Sequence, residues 1–125
     1  MRDRETFYKR TKRAFKKGRY LIRFHVRLRM RERGISEDEV WEVIYGGEVI
    51  EYYPEDKPYP SCLLFKEVRG KPLHVVCALS PEGTAFLVTV YIPSLERWKA
   101  NFRRRKHEMR GLPRVSEGEE RQSTL

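Results

Sequence analysis

The sequence predicts an α+β domain in which N-terminal helices precede a four-stranded antiparallel sheet and a C-terminal helix. The chain has 125 residues, the usual size of one domain. Up to Gly47 the apolar residues recur at helical spacing, and from residue 48 to residue 92 they form short β-branched or aromatic runs. Helical spacing returns after residue 92. Helices gathered on one face of an antiparallel sheet make an α+β domain.

The first third of the chain is predicted to form three helices. Residues 2–17 form the first, which carries a narrow apolar stripe and is followed by a glycine stop signal. A short extended piece at 20–24 leads into the second helix at 25–33. A Ser-x-x-Glu capping box that begins at Ser36 opens the third helix, and the pair Gly46-Gly47 closes it.

Four strands are predicted next, at residues 48–53, 61–68, 73–79 and 85–92. Their short separators favour consecutive hairpins, and hence an antiparallel meander. A final helix is predicted from Pro93, with Leu95, Trp98 and Phe102 on its apolar face. The predicted organisation is a basic N-terminal helix at 1–18, an α+β domain at 19–107 and a flexible tail at 108–125.

The positive charge is concentrated near the N-terminus. The formal net charge is +9, and residues 1–33 hold 14 Lys and Arg against 3 Asp and Glu. The other 92 residues hold 13 basic and 15 acidic side chains. Charge segregated in this way attracts phosphates, so RNA is the predicted partner. The other interpretation is the charge-rich surface of a thermophilic protein.

Several classes of protein lack support in the sequence. No segment approaches the roughly 18 apolar residues of a membrane span, and the first residues contain no apolar core of a signal peptide. Cys62 and Cys77 are too few and too far apart for a zinc site or a disulfide framework. We therefore expect a cytoplasmic protein with no membrane association, metal or cofactor.

Two neighbouring strands are predicted to bring a histidine and a tyrosine together. Matching the apolar faces of strands 73–79 and 85–92 fixes the parity of their register. His74 then lies opposite Thr89 or Tyr91 and shares a sheet face with both. A buried histidine bonded to a hydroxyl group would give the same pattern.

Other side chains suit a polyanion. His25, Arg29 and Arg33 recur every four residues and form a stripe on the second helix, which either contacts an anion or is a solvated basic face. Tyr53 belongs to an aromatic loop that could stack bases or cap a sheet edge. Arg103 is one of the basic residues on the predicted last helix.

Metal-free RNA cleavage needs a base for the 2′-hydroxyl, a cation for the phosphorane-like charge and an acid for the departing 5′-oxygen. His25, His74 and Tyr91 are candidate proton carriers. Arg29 and Arg33 are candidate phosphate ligands. The sequence has no paired carboxylates at a credible spacing, no His-x-x-x-His motif and no P-loop, so a metal-dependent nuclease is disfavoured.

The order of motifs resembles an uncharacterised prokaryotic domain family. The resemblance is carried by His-Val-Arg-Leu-Arg-Met-Arg-Glu-Arg-Gly-Ile-Ser at 25–36, Glu-Val-Ile-Glu-Tyr-Tyr at 48–53, Pro-Leu-His-Val-Val at 72–76, Thr-Val-Tyr-Ile-Pro at 89–93, and Trp98. That family is distantly similar to RelE/ParE-like toxins, and its members are often paired with a zinc-finger-type antitoxin.

The resemblance implies a RelE/ParE-toxin-like fold and an endoribonuclease that an antitoxin protein neutralises. His25, Arg29, Arg33, His74 and Tyr91 match the polar motif positions of the family. ParE-like relatives poison gyrase and cleave no RNA, so the fold alone leaves the activity open. The leading hypothesis is a metal-independent, RelE-like mRNA interferase. The alternatives are a non-catalytic nucleic-acid-binding module and an interaction subunit for an acidic partner protein.

Overall fold

Three helices pack on one face of a five-stranded sheet, and an irregular C-terminal segment covers the opposite face. The computed structural model describes residues 2–95 and 97–105. The elements are α1 (Arg2–Lys16), β1 (Tyr20–Ile22), α2 (Phe24–Glu32), α3 (Glu37–Gly46), β2 (Glu48–Tyr53), β3 (Ser61–Val68), β4 (Lys71–Leu79) and β5 (Ala85–Tyr91). The predicted α+β class is confirmed, and so are the three N-terminal helices.

The sheet is mixed, with the strand order β1-β5-β4-β3-β2. Strands β2 to β5 form the predicted antiparallel meander. Strand β1 pairs in parallel with β5, with Tyr20 opposite Ala85 and Ile22 opposite Leu87. The prediction of a four-stranded, purely antiparallel sheet was therefore wrong. Three residues are too few to show a period of two, and the partner of β1 lies more than sixty residues away in sequence.

The predicted C-terminal helix, and with it the predicted RelE/ParE-toxin-like arrangement of elements, was also wrong. Residues 93–95 and 97–105, called the strap below, are irregular, and Trp98 and Arg105 form an isolated antiparallel bridge. Phe102 has a φ of 58°, outside the helical region. Helical spacing would place Leu95 and Trp98 on one face, but Leu95 is 57% exposed and Trp98 is fully buried. Packing of Trp98 against the sheet overrides the helical pattern.

The core has two parts, one on each face of the sheet. The larger lies between the sheet and the three helices and includes Val26 and Met30 of α2 with Val75 and Val90 of the sheet. The smaller lies under the strap and consists of Leu63, Val76, Ala78, Phe86, Val88 and Trp98. The sheet is thus buried on both faces, which explains the nearly continuous apolar runs of β3, β4 and β5.

A bulge in the β4–β5 pair changes the faces of the two strands. Val75 pairs with Val90 as the parity argument predicted, but beyond the shift between Val76 and Cys77 it is Leu87 that lies opposite Cys77. Leu87 consequently belongs to the helix-side core, whereas unbroken alternation along β5 would place it on the face of Thr89 and Tyr91. A bulge inserts one extra residue and reverses the alternation beyond it.

The helix α1 is docked on the rest of the fold by both apolar and polar contacts. Phe7 and Phe15 are buried in the helix-side core. The Tyr8 hydroxyl donates to the carbonyl oxygens of Ile44 at 2.8 Å and Gly47 at 3.1 Å. Burial raises the pKa of Tyr8 to about 12. These contacts fix the orientation of α1, and with it the direction in which its polar side chains point.

The predicted capping box is present at the start of α3. The backbone N–H of Glu39 donates to Ser36 Oγ at 3.2 Å, and the Ser36 N–H donates to Glu39 Oε1 at 3.0 Å. At the other end of α3, a Cβ on Gly47 would lie 2.5 Å from the carbonyl oxygen of Val43, so only glycine fits there. Within the described residues, no helix is both long enough and apolar enough to cross a membrane.

Candidate nucleic-acid interface

The outward side of α1 is a continuous basic surface. Its exposed cations, called the basic face below, are Lys9, Arg10, Arg13, Lys16 and Lys17. They lie opposite the buried stripe of the helix because α-helical residues are turned by about 100° at each step. From residue 6 to residue 31 the sequence contains eleven Lys and Arg and no Asp or Glu. The acidic residues of α1, Asp3 and Glu5, are confined to its first turn, where Glu5 lies one turn before Lys9.

The predicted stripe of His25, Arg29 and Arg33 lies along one side of α2 and is half-buried. Val26 and Met30, on an adjacent side of α2, are buried against β5. Arg33 Nη1 donates to the carbonyl oxygen of Val90 at 3.0 Å. The guanidinium group therefore reaches the backbone of β5 at the residue that precedes Tyr91.

His74 and Tyr91 are direct partners across β4 and β5, as predicted. The Tyr91 hydroxyl and His74 Nδ1 are 3.2 Å apart, and His74 Nε2 lies 2.8 Å from the carbonyl oxygen of Phe102. A carbonyl oxygen only accepts, so Nε2 carries the proton and Nδ1 accepts from Tyr91. The ring also meets Trp98 edge to face, with the centroids 4.4 Å apart.

His74 is fully buried, and its environment favours the neutral ring. Burial lowers the pKa of His74 to about 4, only partly offset by the hydrogen bond to Phe102, and the nearby charge of Arg105 lowers it further. Both ring nitrogens are occupied by protein groups. In this arrangement His74 holds the strap on the sheet and has no surface open to a substrate.

The predicted catalytic residues belong to α2, β4 and β5. His74 and Tyr91 point towards the strap. The helix α2, which carries His25 and Arg29, packs through its apolar residues on the opposite face. Arg33 reaches β5 at the backbone of Val90. The histidine–tyrosine pair is therefore assembled across β4 and β5.

Tyr53 and Arg103 are engaged within the protein. Tyr53 is buried, and its hydroxyl accepts a 3.5 Å hydrogen bond from Arg105 Nη2. Arg103 Nε donates to Glu48 Oε2 at 2.9 Å, and the guanidinium group lies 4.7 Å from the centre of the Phe65 ring. Arg103 also lines an open cleft of about 410 Å³ between the strap and strands β2 to β4.

One strongly exposed aromatic residue is not among the site residues predicted from the sequence. Phe24 is 76% exposed, and Leu28, one helical turn further along α2, is 39% exposed. The predicted helix begins at His25, which leaves Phe24 in the preceding extended piece. A start one residue earlier places Phe24 and Leu28 together on the face opposite Val26, because residues four apart share a helix face.

The possible metal ligands of the described residues are their His, Cys, Asp and Glu side chains. No group of three or more His, Cys, Asp or Glu side chains among them could hold a metal ion. Cys62 and Cys77 lie opposite each other on β3 and β4 as free, buried thiols, and burial raises the pKa of both. The predicted tail, residues 108–125, lies outside the described part of the chain.

Comparison with known proteins gives one match. The model of a family described as a domain of unknown function, DUF4258, matches residues 22–92. The matched region runs from the end of β1 to the end of β5 and leaves out α1 and the strap. No curated protein and no solved structure matches the chain. Because the match covers more than half of the sequence, the chain belongs to this family.

Proposed function

We propose that this member of the DUF4258 family is an RNA-binding protein whose first helix holds the phosphate backbone. The observation that carries the proposal is the basic face: four exposed cations on one side of α1 and a fifth, Lys17, directly after its end, with no carboxylate between residues 6 and 31. RNA is proposed as the polyanion because the motif order resembles a family that we expect to be distantly similar to RelE/ParE-like toxins, and RelE-like toxins act on RNA.

The docking of α1 supports this role. Phosphate binding depends on several cations that face the same polyanion at once, because each neutralised phosphate releases condensed counterions. Tyr8 and Arg4 anchor α1 to the backbone at Ile44, Gly47 and Val49, so the basic face is presented by a helix that is already ordered. Little conformational entropy is then lost on binding.

The experiment compares two variants with the same change in net charge. In the first, Lys9, Arg13, Lys16 and Lys17 are replaced by Gln. In the second, four exposed cations outside α1, namely Lys57, Arg97, Lys99 and Arg104, are replaced by Gln. Binding of a fluorescent RNA is measured by anisotropy at several salt concentrations.

The α1 variant is expected to bind much more weakly, and its salt slope should fall by about 0.7 for each phosphate that it no longer neutralises. The control variant should retain most of the affinity. Equal weakening in the two variants would mean that net charge alone attracts RNA. If the wild-type protein does not bind RNA but does bind an acidic protein, the interaction-subunit alternative is favoured.

A second candidate function is a metal-independent endoribonuclease of a toxin–antitoxin system. The observation that favours it is the bond from Arg33 to Val90, which brings one end of the half-buried stripe of His25, Arg29 and Arg33 to the strand that carries Tyr91. In this candidate His25 takes the proton of the 2′-hydroxyl as that oxygen bonds to phosphorus, and returns it to the 5′-oxygen as the bond from phosphorus to that oxygen breaks. Arg29 and Arg33 stabilise the phosphorane-like charge. An antitoxin protein would then be the natural partner.

This candidate has its own test. Purified protein in EDTA should cut RNA and leave 2′,3′-cyclic phosphate ends, and His25→Ala should abolish cleavage while RNA binding is kept. Arg29→Lys should keep binding and lower the cleavage rate, because lysine cannot make a bidentate contact. If His25→Ala still cleaves RNA at the wild-type rate, His25 is not the catalytic residue. If RNA stays intact in every sample, the protein is not a ribonuclease and RNA binding is the function that remains.

A further inference from the structure

We infer that α2 carries a base-stacking site centred on Phe24, so that the RNA bound by this protein is single-stranded. The inference rests on the proposed RNA-binding function and deepens it by naming the form of the substrate. It is carried by the exposure of Phe24 and by the cations on either side of it.

Phe24 is the most exposed large hydrophobic residue in the described part of the chain. Its exposed fraction is 76%, against 57% for Leu95 and 53% for Leu21. A single exposed apolar residue is ordinary in a soluble protein. Here, however, Leu28 continues the apolar surface one turn along α2, so the two side chains form a short stripe called the stacking stripe below.

Cationic residues follow both sides of the stacking stripe. At about 100° per residue, the side chains of Arg27 and Arg31 project on one side of it, and the half-buried Arg29 lies on the other side, beyond His25. Arg27 and Arg31 are exposed, and Arg27 forms an ion pair with Glu37. Glu32 is the acidic residue of the helix, and it lies at the end distant from Phe24.

This arrangement matches the two chemical features of single-stranded RNA. A base offers a flat apolar face that stacks on an aromatic ring, and the backbone beside it offers phosphates to cations. In a duplex the bases stack on one another and their faces are not available. An exposed planar ring beside cationic side chains therefore selects unpaired nucleotides.

The aromatic loop that the sequence singled out does not offer an equivalent ring. Tyr53 is buried, Tyr59 stacks on Phe86 with the centroids 5.4 Å apart, and Tyr52 packs against Phe7 at 5.2 Å. Tyr45, which is 37% exposed, stacks on Trp41. Among the described aromatic residues, Phe24 is the exposed ring that lies beside the cations of α2.

The size of the stacking stripe argues against a protein partner at this place. Stable protein interfaces bury about 800 Å² on each partner, whereas a large aromatic side chain contributes on the order of 200 Å². Phe24 and Leu28 together provide too little apolar area for such an interface. One or two stacked bases need no more apolar area than these two side chains provide.

The test measures the affinity of a 12-nucleotide uridine-rich RNA, single-stranded or annealed to its complement, for Phe24→Ala, Phe24→Trp and a control, Leu95→Ala. Leu95 is also exposed and apolar but lies on the strap. Phe24→Ala should bind the single strand about 5- to 150-fold more weakly, the range that corresponds to the removal of one stacked base. Binding of the duplex should be unchanged.

Phe24→Trp and Leu95→Ala should keep the wild-type affinity, and the fluorescence of the introduced tryptophan should be quenched by the single strand. Equal weakening for single-stranded DNA of the same sequence supports stacking, because every base has a π-face. Wild-type affinity in Phe24→Ala, or equal weakening for single strand and duplex, would overturn the inference.

The experiments distinguish a failure of the stacking site from a failure of the proposed RNA-binding function. If RNA binding itself is wrong, the wild-type protein shows no salt-dependent binding of any RNA. If only the stacking site is wrong, the α1 charge variant loses affinity and Phe24→Ala does not. Weaker binding of an acidic peptide by Phe24→Ala, with RNA binding intact, would assign the surface to a protein and overturn the inference.

Discussion

At the scale of single residues, His74 shows how one chemical pattern serves two different purposes. A histidine beside a tyrosine is a usual proton-transfer pair, and strand parity in the sequence already places the two side chains on one face. The structure adds the carbonyl oxygen of Phe102 and the ring of Trp98, which close the remaining sides of the imidazole. The pair is therefore a buried, fully hydrogen-bonded connection between the sheet and the strap.

The low pKa of His74 predicts an acid-sensitive contribution to stability. The unfolded chain takes up a proton on this residue below its ordinary pKa near 6.5, whereas the folded protein resists protonation until about pH 4. Lowering the pH through this window should therefore reduce the free energy of unfolding by roughly 3 kcal/mol from His74 alone.

The measurement is urea denaturation between pH 7 and pH 4 for the wild-type protein and for His74→Gln. The substitution should lower stability at pH 7 and make the pH dependence shallower. Both proteins share all carboxylates, so the difference between their slopes isolates the histidine. Parallel slopes would show that His74 does not titrate differently in the folded and unfolded states.

At the scale of secondary structure, local signals predicted the elements that depend on local chemistry. The capping box at Ser36 and Glu39 defined the start of α3 because both bonds join residues three apart. The strap was missed because its conformation depends on distant partners. Arg103 and Arg105 pair with Glu48 and Glu51 of β2, more than fifty residues earlier in the sequence.

The strap should contribute strongly to stability through Trp98 and little through Leu95. Trp98→Ala removes a fully buried ring and should lower the free energy of unfolding by about 3–5 kcal/mol. Leu95→Ala, a truncation of a residue that is 57% exposed, should change it by no more than about 0.5 kcal/mol. Thermal and chemical denaturation of both variants measures the contrast. Similar effects in the two variants would mean that the strap is not packed as described.

At the scale of the whole molecule, a single helix, α1, supplies both the basic face and part of the hydrophobic core. The outward side of α1 carries the basic face, while its inward side supplies Phe7 and Phe15 to the helix-side core. The sequence predicted a basic N-terminal helix at 1–18 that is distinct from the α+β domain at 19–107. The spacing of the apolar residues indicated a buried stripe, but their partners on α3 and the sheet could not be found from spacing alone.

Deletion of residues 2–17 should therefore unfold the protein as well as remove RNA binding. The deletion exposes the apolar surfaces that α1 covers and removes the Tyr8 bonds to Ile44 and Gly47. Circular dichroism and calorimetry should show that the cooperative transition disappears. The α1 charge variant, which alters exposed side chains only, should keep it. A folded deletion protein would indicate that α1 is an appendage.

The candidate site was predictable in its chemistry and less so in its geometry. The charge asymmetry, the stripe of α2 and the pairing of His74 with Tyr91 follow from composition, helical spacing and strand parity. The positions of these groups relative to one another depend on which side of the meander the helices cover, and spacing carries no information about that choice. Phe24 was missed because a helix boundary was placed one residue late.

The parallel pairing of β1 with β5 has a consequence for how the protein is made. Tyr20 lies opposite Ala85, so β1 cannot pair in the sheet until β5, more than sixty residues later, has been synthesised. Until then α1 and α2 lack the β5 surface on which they pack. We expect this cationic, partly apolar segment to stay exposed during that interval, which lengthens the time in which nucleic acid or a chaperone can bind it.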